Sequence, residues 1–178
     1  MSEPIKTVGT TDWMRDKGLS GGCSDGDDAV ASGTSIFDPV LCELAYTWFS
    51  PMGGLILDPF AGGSVRGIVA AELGREYIGV ELRGEQVAAN REQAADICKY
   101  SIPAWIEGDS ANIDNLCKGV QADMIFSCPP YADLEVYSDN PADISTMDYG
   151  DFIKVYREII AKSCALLKDN AFACFVVG

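Results

Sequence analysis

Five short apolar runs punctuate the chain: LILD (55–58), EYIGVE (76–81), PAWIEGD (103–109), DMIFS (123–127) and AFACFVVG (171–178). Between them lie stretches with helical spacing: 64–73 closed by Gly74, 84 to about 99, 111–119, and DFIKVYREIIAKSCALL. Strands that alternate with helices in this way form a mostly parallel sheet with helices on both faces, because each crossover must return to the same sheet end. The predicted fold class is therefore α/β. In the second of these helices Val87, Ala88, Ala95 and Cys98 are the expected inner face. Ahead of the first strand, SIFDPVLCELAYTWFS predicts a further helix. Asp38 is its N-cap and Pro39 its first residue, and Leu41, Leu44, Ala45 and Trp48 recur at helical spacing.

Residues 1–35 differ in kind. The run KGLSGGCSDGDDAVASGTS has no periodicity and reads as a flexible N-terminal arm, or as a lid that orders over a ligand. The ordered domain is expected over 36–178. It reads as incomplete at its C-terminus, since a strand as apolar as FVVG calls for cover on both faces and a neighbouring strand. A second copy or another chain would supply that edge.

Composition narrows the chemistry. With 178 residues, 48% of them hydrophobic, the chain can bury the core of one domain. Seven cysteines include no CxxC pair and histidine is absent, so no metal site is expected. Several cysteines sit inside apolar runs, where Cys behaves as a small hydrophobe, and the simplest compartment is the reducing cytosol. MSEPIKTVGT is no signal peptide, and no apolar run approaches the ~18 residues of a membrane span. The formal charge of −14 argues against a broad nucleic-acid surface, which needs Lys and Arg. Arg66, Lys154, Arg157, Lys162 and Lys168 are dispersed and read as solvated helix-face charges.

Two loops carry the chemistry. Open α/β sheets bind ligands at the carboxyl ends of their strands. DPFAGGSVRG follows the first strand, and Ala61, Gly62 and Gly63 would let a ligand approach the backbone. Glu81 ends the second strand, placed to take two ribose hydroxyls. The loop is not GxGxxG, and Asp58 before the glycines would repel a phosphate but welcome a cation. S-adenosylmethionine, with sulfonium and ammonium groups, meets that condition. Asp109 and Ser110 at the end of the third strand suit the exocyclic amine of its adenine.

The second loop, SCPPY, follows the fourth strand on the same sheet edge. Pro129 and Pro130 stiffen the backbone and remove N–H donors, leaving carbonyls that suit an amino group. Tyr131 offers a flat face to a planar base. Together they describe a slot for an extruded nucleobase.

These motifs, DPFAGGS, then CPPY, with a Phe37 element before the first strand, resemble those of the amino-methylating DNA methyltransferases, which modify N6 of adenine or N4 of cytosine. The resemblance runs from about residue 37 to 178. It implies a Rossmann-like class I methyltransferase fold, here ending at the fifth strand. It implies cofactor contacts from Phe37, Asp58, Phe60, Ala61, Gly62, Glu81, Asp109 and Ser110, and a base held by Cys128, Pro129, Pro130 and Tyr131. It further implies double-stranded DNA as partner, a bacterial or phage cytoplasm, and direct transfer without metal or covalent intermediate. Cysteine stands at 128 where the family has Asp, Asn or Ser. Backbone carbonyls would then carry the work, or Ser127 would turn into the pocket, or catalysis would be weak. A covalent route through Cys128 would need a thiolate, which no histidine or cation run supports. Only about 65 residues separate Gly63 from Cys128, so target recognition would lie beyond residue 178 or on another chain. The acidic segment 132–149 reads as a solvated connection, with a base-flipping or dimer-contact loop using Tyr137 and Tyr149 as the alternative. Three other functions compete with the leading one. These are an RNA base methyltransferase, a non-catalytic cofactor-binding or assembly subunit, and a nicotinamide oxidoreductase, the last disfavoured by Asp58 and the PPY loop.

Overall fold

In the computed structural model, which describes residues 36–131 and 136–177, five strands form one sheet. They are β1 (Leu55–Asp58), β2 (Glu76–Glu81), β3 (Ala104–Glu107), β4 (Ala122–Ser127) and β5 (Leu167–Phe175). Their order is β3-β2-β1-β4-β5 and every pair is parallel. The expected arm, 1–35, lies outside the described residues.

The chain runs outward from β1 through β2 to β3, then returns to the other side of β1 for β4. That reversal is the topological switch point, where two successive crossovers diverge and leave a crevice. Ile56 and Leu57 of β1 pair with Met124 and Ile125 of β4. The first and fourth strands thus lie side by side, as the two-loop site requires.

Alternating strand residues feed two cores. Ile56, Tyr77, Met124 and Phe126 join Tyr46, Ile68 and Trp105 on one face. Leu57, Val80 and Ile125 join Ile113 on the other. The helices are α1 (Pro39–Phe49), α2 (Val65–Glu72), α3 (Gly84–Ile97), α4 (Ile113–Leu116) and α5 (Tyr149–Cys164). Asp38 caps α1 by accepting from Val40 N at 2.8 Å. Gly74 takes φ +70° just past α2, as a helix-stopping glycine should.

Three local readings change. In α1 the periodic residues divide: Ala45 packs inward with Cys42 and Tyr46, while Leu41, Leu44 and Trp48 are exposed. The small Cys42 and Ala45 let α1 approach α2, where the Tyr46 hydroxyl donates to Arg66 O at 3.0 Å. In α3, Ala88 and Ala95 are exposed and the inner face is Val87, Asn90 and Ala94. Asn90 can be wholly buried because its carboxamide is satisfied at both ends. β5 begins at Leu167, four positions before the expected start, with polar Lys168, Asp169 and Asn170 inside it. A register shift opposite Ala122/Met124 and a positive φ at Asn170 absorb the irregularity. Lys168 anchors it on Asp123 at 2.8 Å.

Gly67 in α2 offers a sign test of this packing. Alanine normally favours a helix over glycine by about 1 kcal/mol. Here an added Cβ would sit 2.6 Å from Cζ2 of the buried Trp105 ring and 3.1 Å from Pro103 Cβ. Gly67→Ala is therefore expected to lower stability, by about 1–3 kcal/mol, in urea titrations followed by far-UV circular dichroism.

Candidate functional site

β1 ends on Asp58, whose side chain is wholly buried. Four donors converge on its carboxylate. Arg66 Nε (2.6 Å) and the Tyr77 hydroxyl (2.7 Å) donate to one oxygen; the Ser127 hydroxyl and Phe60 N (3.1 Å) donate to the other. Arg66 also donates to the Phe60 and Ala61 carbonyls, and its guanidinium lies 4.8 Å from the centre of the Phe37 ring. Burial works against the Arg66 charge, but the adjacent Asp58 more than offsets it and holds its pKa above the usual arginine value. The Tyr77 phenol is likewise pushed up, by burial first and by Asp58 second. Arg66 is thus no solvated face charge. It is a buried ion-pair partner that ties the Phe37 segment to the loop after β1.

Gly62 bends that loop at φ +51°, a conformation that favours glycine. Its N–H donates to Glu81 Oε2 at 2.9 Å, and its carbonyl accepts from Asn90 Nδ2 at 2.7 Å. A Cβ on Gly63 would meet nothing within 4 Å, and one on Gly62 only an Arg66 nitrogen at 3.9 Å. The loop therefore presents open backbone, as a close-binding ligand needs.

That backbone faces a cavity of about 360 Å³. Phe37, Phe60, Gly62, Glu81, Asp109 and Ser110 line it, and so do Cys128 and Pro130. Asp58 and Ala61 are fully buried behind the wall and do not line it. Glu81 is held in place, since its second oxygen accepts from Arg83 N (3.0 Å) and Nε (3.3 Å). Asp109 accepts from Ala111 N at 2.8 Å, and the Ser110 hydroxyl donates to the Pro59 carbonyl. Arg66 and Arg83 are each engaged by a carboxylate, while Asp109 and Asp143 add two more negative charges to the wall. A cationic sulfonium and ammonium suit such a wall and a pyrophosphate does not. The preference for a cation survives, but its source moves from Asp58 to these outer carboxylates.

At the end of β4, Ser127 is fully buried and points away from the cavity. Its oxygen donates to Asp58 and accepts from Phe60 N at 3.1 Å. Cys128 Sγ lies 3.7 Å from the Tyr131 hydroxyl; Pro129 is buried, and neither it nor Tyr131 lines the cavity. Behind Phe60 stands an aromatic row on α5: Tyr156 at 6.0 Å, then Phe152 at 5.6 Å from Tyr156 and nearly parallel to it. Burial, and next the proximity of Cys128, push the Tyr156 phenol up.

The acidic segment is more than a solvated connection over its described part. Asp143 and Ile144 are buried, and both line the cavity with Tyr137 and Ala142. Asp143 accepts from Ser145 N (3.0 Å), the Ser145 hydroxyl (2.6 Å) and the Ser138 hydroxyl (2.8 Å). It caps a short 3-10 turn, Ile144–Thr146. Tyr149 is exposed and stacks on Phe152 at 6.5 Å. Arg83, Asn90 and Asp143 thus build or brace the wall without having been singled out by sequence. Asp143 alone left a readable trace, an Asp two residues before a Ser in a turn-forming run.

The six described cysteines are free, and among the described residues no cluster of three potential ligands could hold a metal. No described helix is long and apolar enough to cross a membrane.

Residues 42–92 match the model of a DNA methylase family, the N6/N4 amino-methyltransferases. A type II methyltransferase, M.SmaI of Serratia marcescens, is 36% identical over 59 residues. That match takes in 33% of this chain and 20% of the relative, so the chain spans about a fifth of the length of the curated protein it matches. Among solved structures, TrmN from Thermus thermophilus superposes with a TM-score of 0.59 at 19% identity, covering 77% of this chain and 37% of that one. An rRNA methylase from Streptococcus thermophilus gives 0.56 at 10% identity, over 80% and 72%. A ribosomal protein L11 methylase from Lactobacillus delbrueckii subsp. bulgaricus gives 0.51 at 14% identity, over 77% and 56%. Likenesses at such identities establish the fold. The resemblance to the amino-methylating DNA methyltransferases holds over residues 42–92, which include the loop after β1, on the Rossmann-like fold of the S-adenosylmethionine-dependent methyltransferases.

Proposed function

We propose that the chain transfers a methyl group from S-adenosylmethionine to the exocyclic amine of an adenine (N6) or cytosine (N4) in DNA, with the base turned out of the stack. One observation carries this reading. The Phe60–Gly62 loop and the Cys128–Pro130 loop face the same cavity, one wall fit for a cationic nucleoside and the other for a base amine.

S-adenosylmethionine, when bound, supplies an electrophilic methyl group on sulfur. Glu81 would accept the ribose hydroxyls, Phe37 and Phe60 would flank the adenosine, and Asp109 would sit at the adenine edge. An aryl-type amine is a poor nucleophile, because its lone pair is delocalised into the ring. Carbonyls of the Cys128–Pro130 backbone that accept its hydrogens raise the electron density on nitrogen, and these fixed dipoles stabilise the charge that forms. The remainder is alignment of nitrogen with the methyl group. The overall negative charge of the chain and its scattered cations fit target recognition by another polypeptide segment or a second subunit.

Incubation with tritiated S-adenosylmethionine and duplex DNA, with RNA in a parallel reaction, then nucleoside chromatography, tests the proposal. Label in N6-methyl-2′-deoxyadenosine or N4-methyl-2′-deoxycytidine supports it and decides the base. Label in RNA alone would move the substrate to RNA. Cofactor binding without any transfer would leave the non-catalytic subunit.

The cofactor side can be tested by itself. In Glu81→Gln the amide loses the charge that holds Arg83 and must direct its NH2 either at Gly62 N or at the two Arg83 donors. The expected loss is about 10- to 100-fold in S-adenosylmethionine affinity by calorimetry, the effect of a broken charge-assisted pair.

A further inference from the structure

Ser127 has an unusual place for a residue in a substrate-binding loop. It adjoins Cys128, which lines the cavity, yet it is fully buried and does not reach the cavity itself. Its hydroxyl reaches back instead to the end of β1, donating to Asp58 and accepting from Phe60 N at 3.1 Å. On its main chain, Ser127 O accepts from Val176 N at 2.9 Å beyond the end of β5. One hydroxyl thus links the loop that would hold the methyl donor to the loop that would hold the base. Beyond it the chain is stiff, because Pro129 and Pro130 fix φ and Pro129 restricts Cys128. A shift at Ser127 would pass to Pro130 with little damping.

We infer that Ser127 is a positioning residue that sets the gap between the two loops and carries the state of the cofactor loop into the Cys128–Pro130 corner. The inference rests on the function proposed above for the site. Because the hydroxyl touches neither cavity nor ligand, its loss should disturb alignment and leave cofactor binding largely in place. A misplacement on the ångström scale at a reacting pair costs on the order of 100-fold in rate.

Two measurements on the full chain test it. In the first, Ser127→Ala is expected to lower kcat about 10- to 100-fold while KM for S-adenosylmethionine stays within about threefold. Ser127→Thr, which keeps a hydroxyl, should recover most of the rate. An unchanged kcat in the alanine variant would overturn the inference. So would a parallel fall in kcat and cofactor affinity that threonine does not repair, since that is loss of structure.

The second measurement needs no methyl transfer. The rate of Cys128 alkylation by iodoacetamide is read by peptide mass spectrometry, with and without saturating S-adenosylmethionine. In the natural sequence the cofactor should change that rate at least several-fold. In Ser127→Ala the change should shrink to less than half, with cofactor affinity retained by calorimetry. Direct shielding of the thiol by the cofactor would persist in both proteins, and that result would sink the coupling. The absence of any cofactor effect in the natural sequence would sink it as well. If the chain transfers no methyl group but the alkylation pattern holds, the proposed reaction fails and the positioning role stands.

Discussion

Replacing Arg66 with methionine is expected to lower stability by about 3–5 kcal/mol, the usual cost of leaving one member of a buried ion pair alone. A domain of this size has about 5–15 kcal/mol in total, so the variant should be largely unfolded at modest denaturant. The methionine fills similar space, and the helix keeps its propensity. What is lost is specific. Asp58 keeps the Tyr77, Ser127 and Phe60 donors but loses the only cation that contacts it among the described residues. The Phe60 and Ala61 carbonyls lose their guanidinium donor, and the Phe37 ring loses the cation above it. Asp58→Asn should cost less than Arg66→Met, because the amide oxygen can still accept from the Ser127 hydroxyl and Phe60 N while its NH2 donates to the Tyr77 hydroxyl oxygen, and Arg66 keeps the Phe60 and Ala61 carbonyls. The double variant Asp58→Asn/Arg66→Met is expected to be more stable than Arg66→Met alone. Guanidinium titrations of the three variants complete a double-mutant cycle. If the double variant is no better than Arg66→Met, the methionine is failing through packing and the ion pair is not what holds the loop.

This buried pair also shows where sequence reading stops. The alternation of strands and helices is local, and parallel strands put their carboxyl ends on one edge by necessity, so the fold and the meeting of DPF with CPPY were legible. Arg66 was not. Its partners are Asp58, two carbonyls of the loop after β1 and the ring of Phe37, 29 positions back, and only tertiary packing brings them together. In the sequence Asn90 is one more polar residue in a helical run, and its value lies in a carbonyl of a loop 28 positions away. The outward stripe of α1 was illegible for another reason: the helix is apolar nearly all round, so periodicity could not choose a face. Ser127, by contrast, could have been placed. Neighbouring residues at a strand end point to opposite sides, so Ser127 and Cys128 cannot both face the base. The structure puts Cys128 at the cavity and Ser127 against Asp58.

Asparagine at position 128 is expected to raise kcat about 10-fold or more, a part of the 10²–10³ that one well-placed hydrogen-bonding group contributes to a transition state. Cys128 lines the cavity at the corner where the base amine would sit. Its sulfur is a weak acceptor, 3.7 Å from the Tyr131 hydroxyl. The carboxamide oxygen of asparagine is a strong acceptor and has the reach to take an amine hydrogen. The gain falls short of the full value because the longer side chain must find its rotamer beside Tyr131. Cys128→Ala is the companion variant. If backbone carbonyls now do most of the accepting, alanine should keep kcat within about threefold, since only a weak thiol contact is lost. Initial rates with labelled S-adenosylmethionine, normalised to cofactor bound, separate the cases. Should alanine abolish transfer and asparagine fail to restore it, the thiol would be acting as a nucleophile. The product would then carry its methyl group on a ring carbon of a pyrimidine, which nucleoside analysis distinguishes at once from an amino-methylated base. An active alanine variant excludes that route, because no attack on the ring can proceed without the sulfur. Thus the same two substitutions decide both the mechanism and whether residue 128 limits the rate.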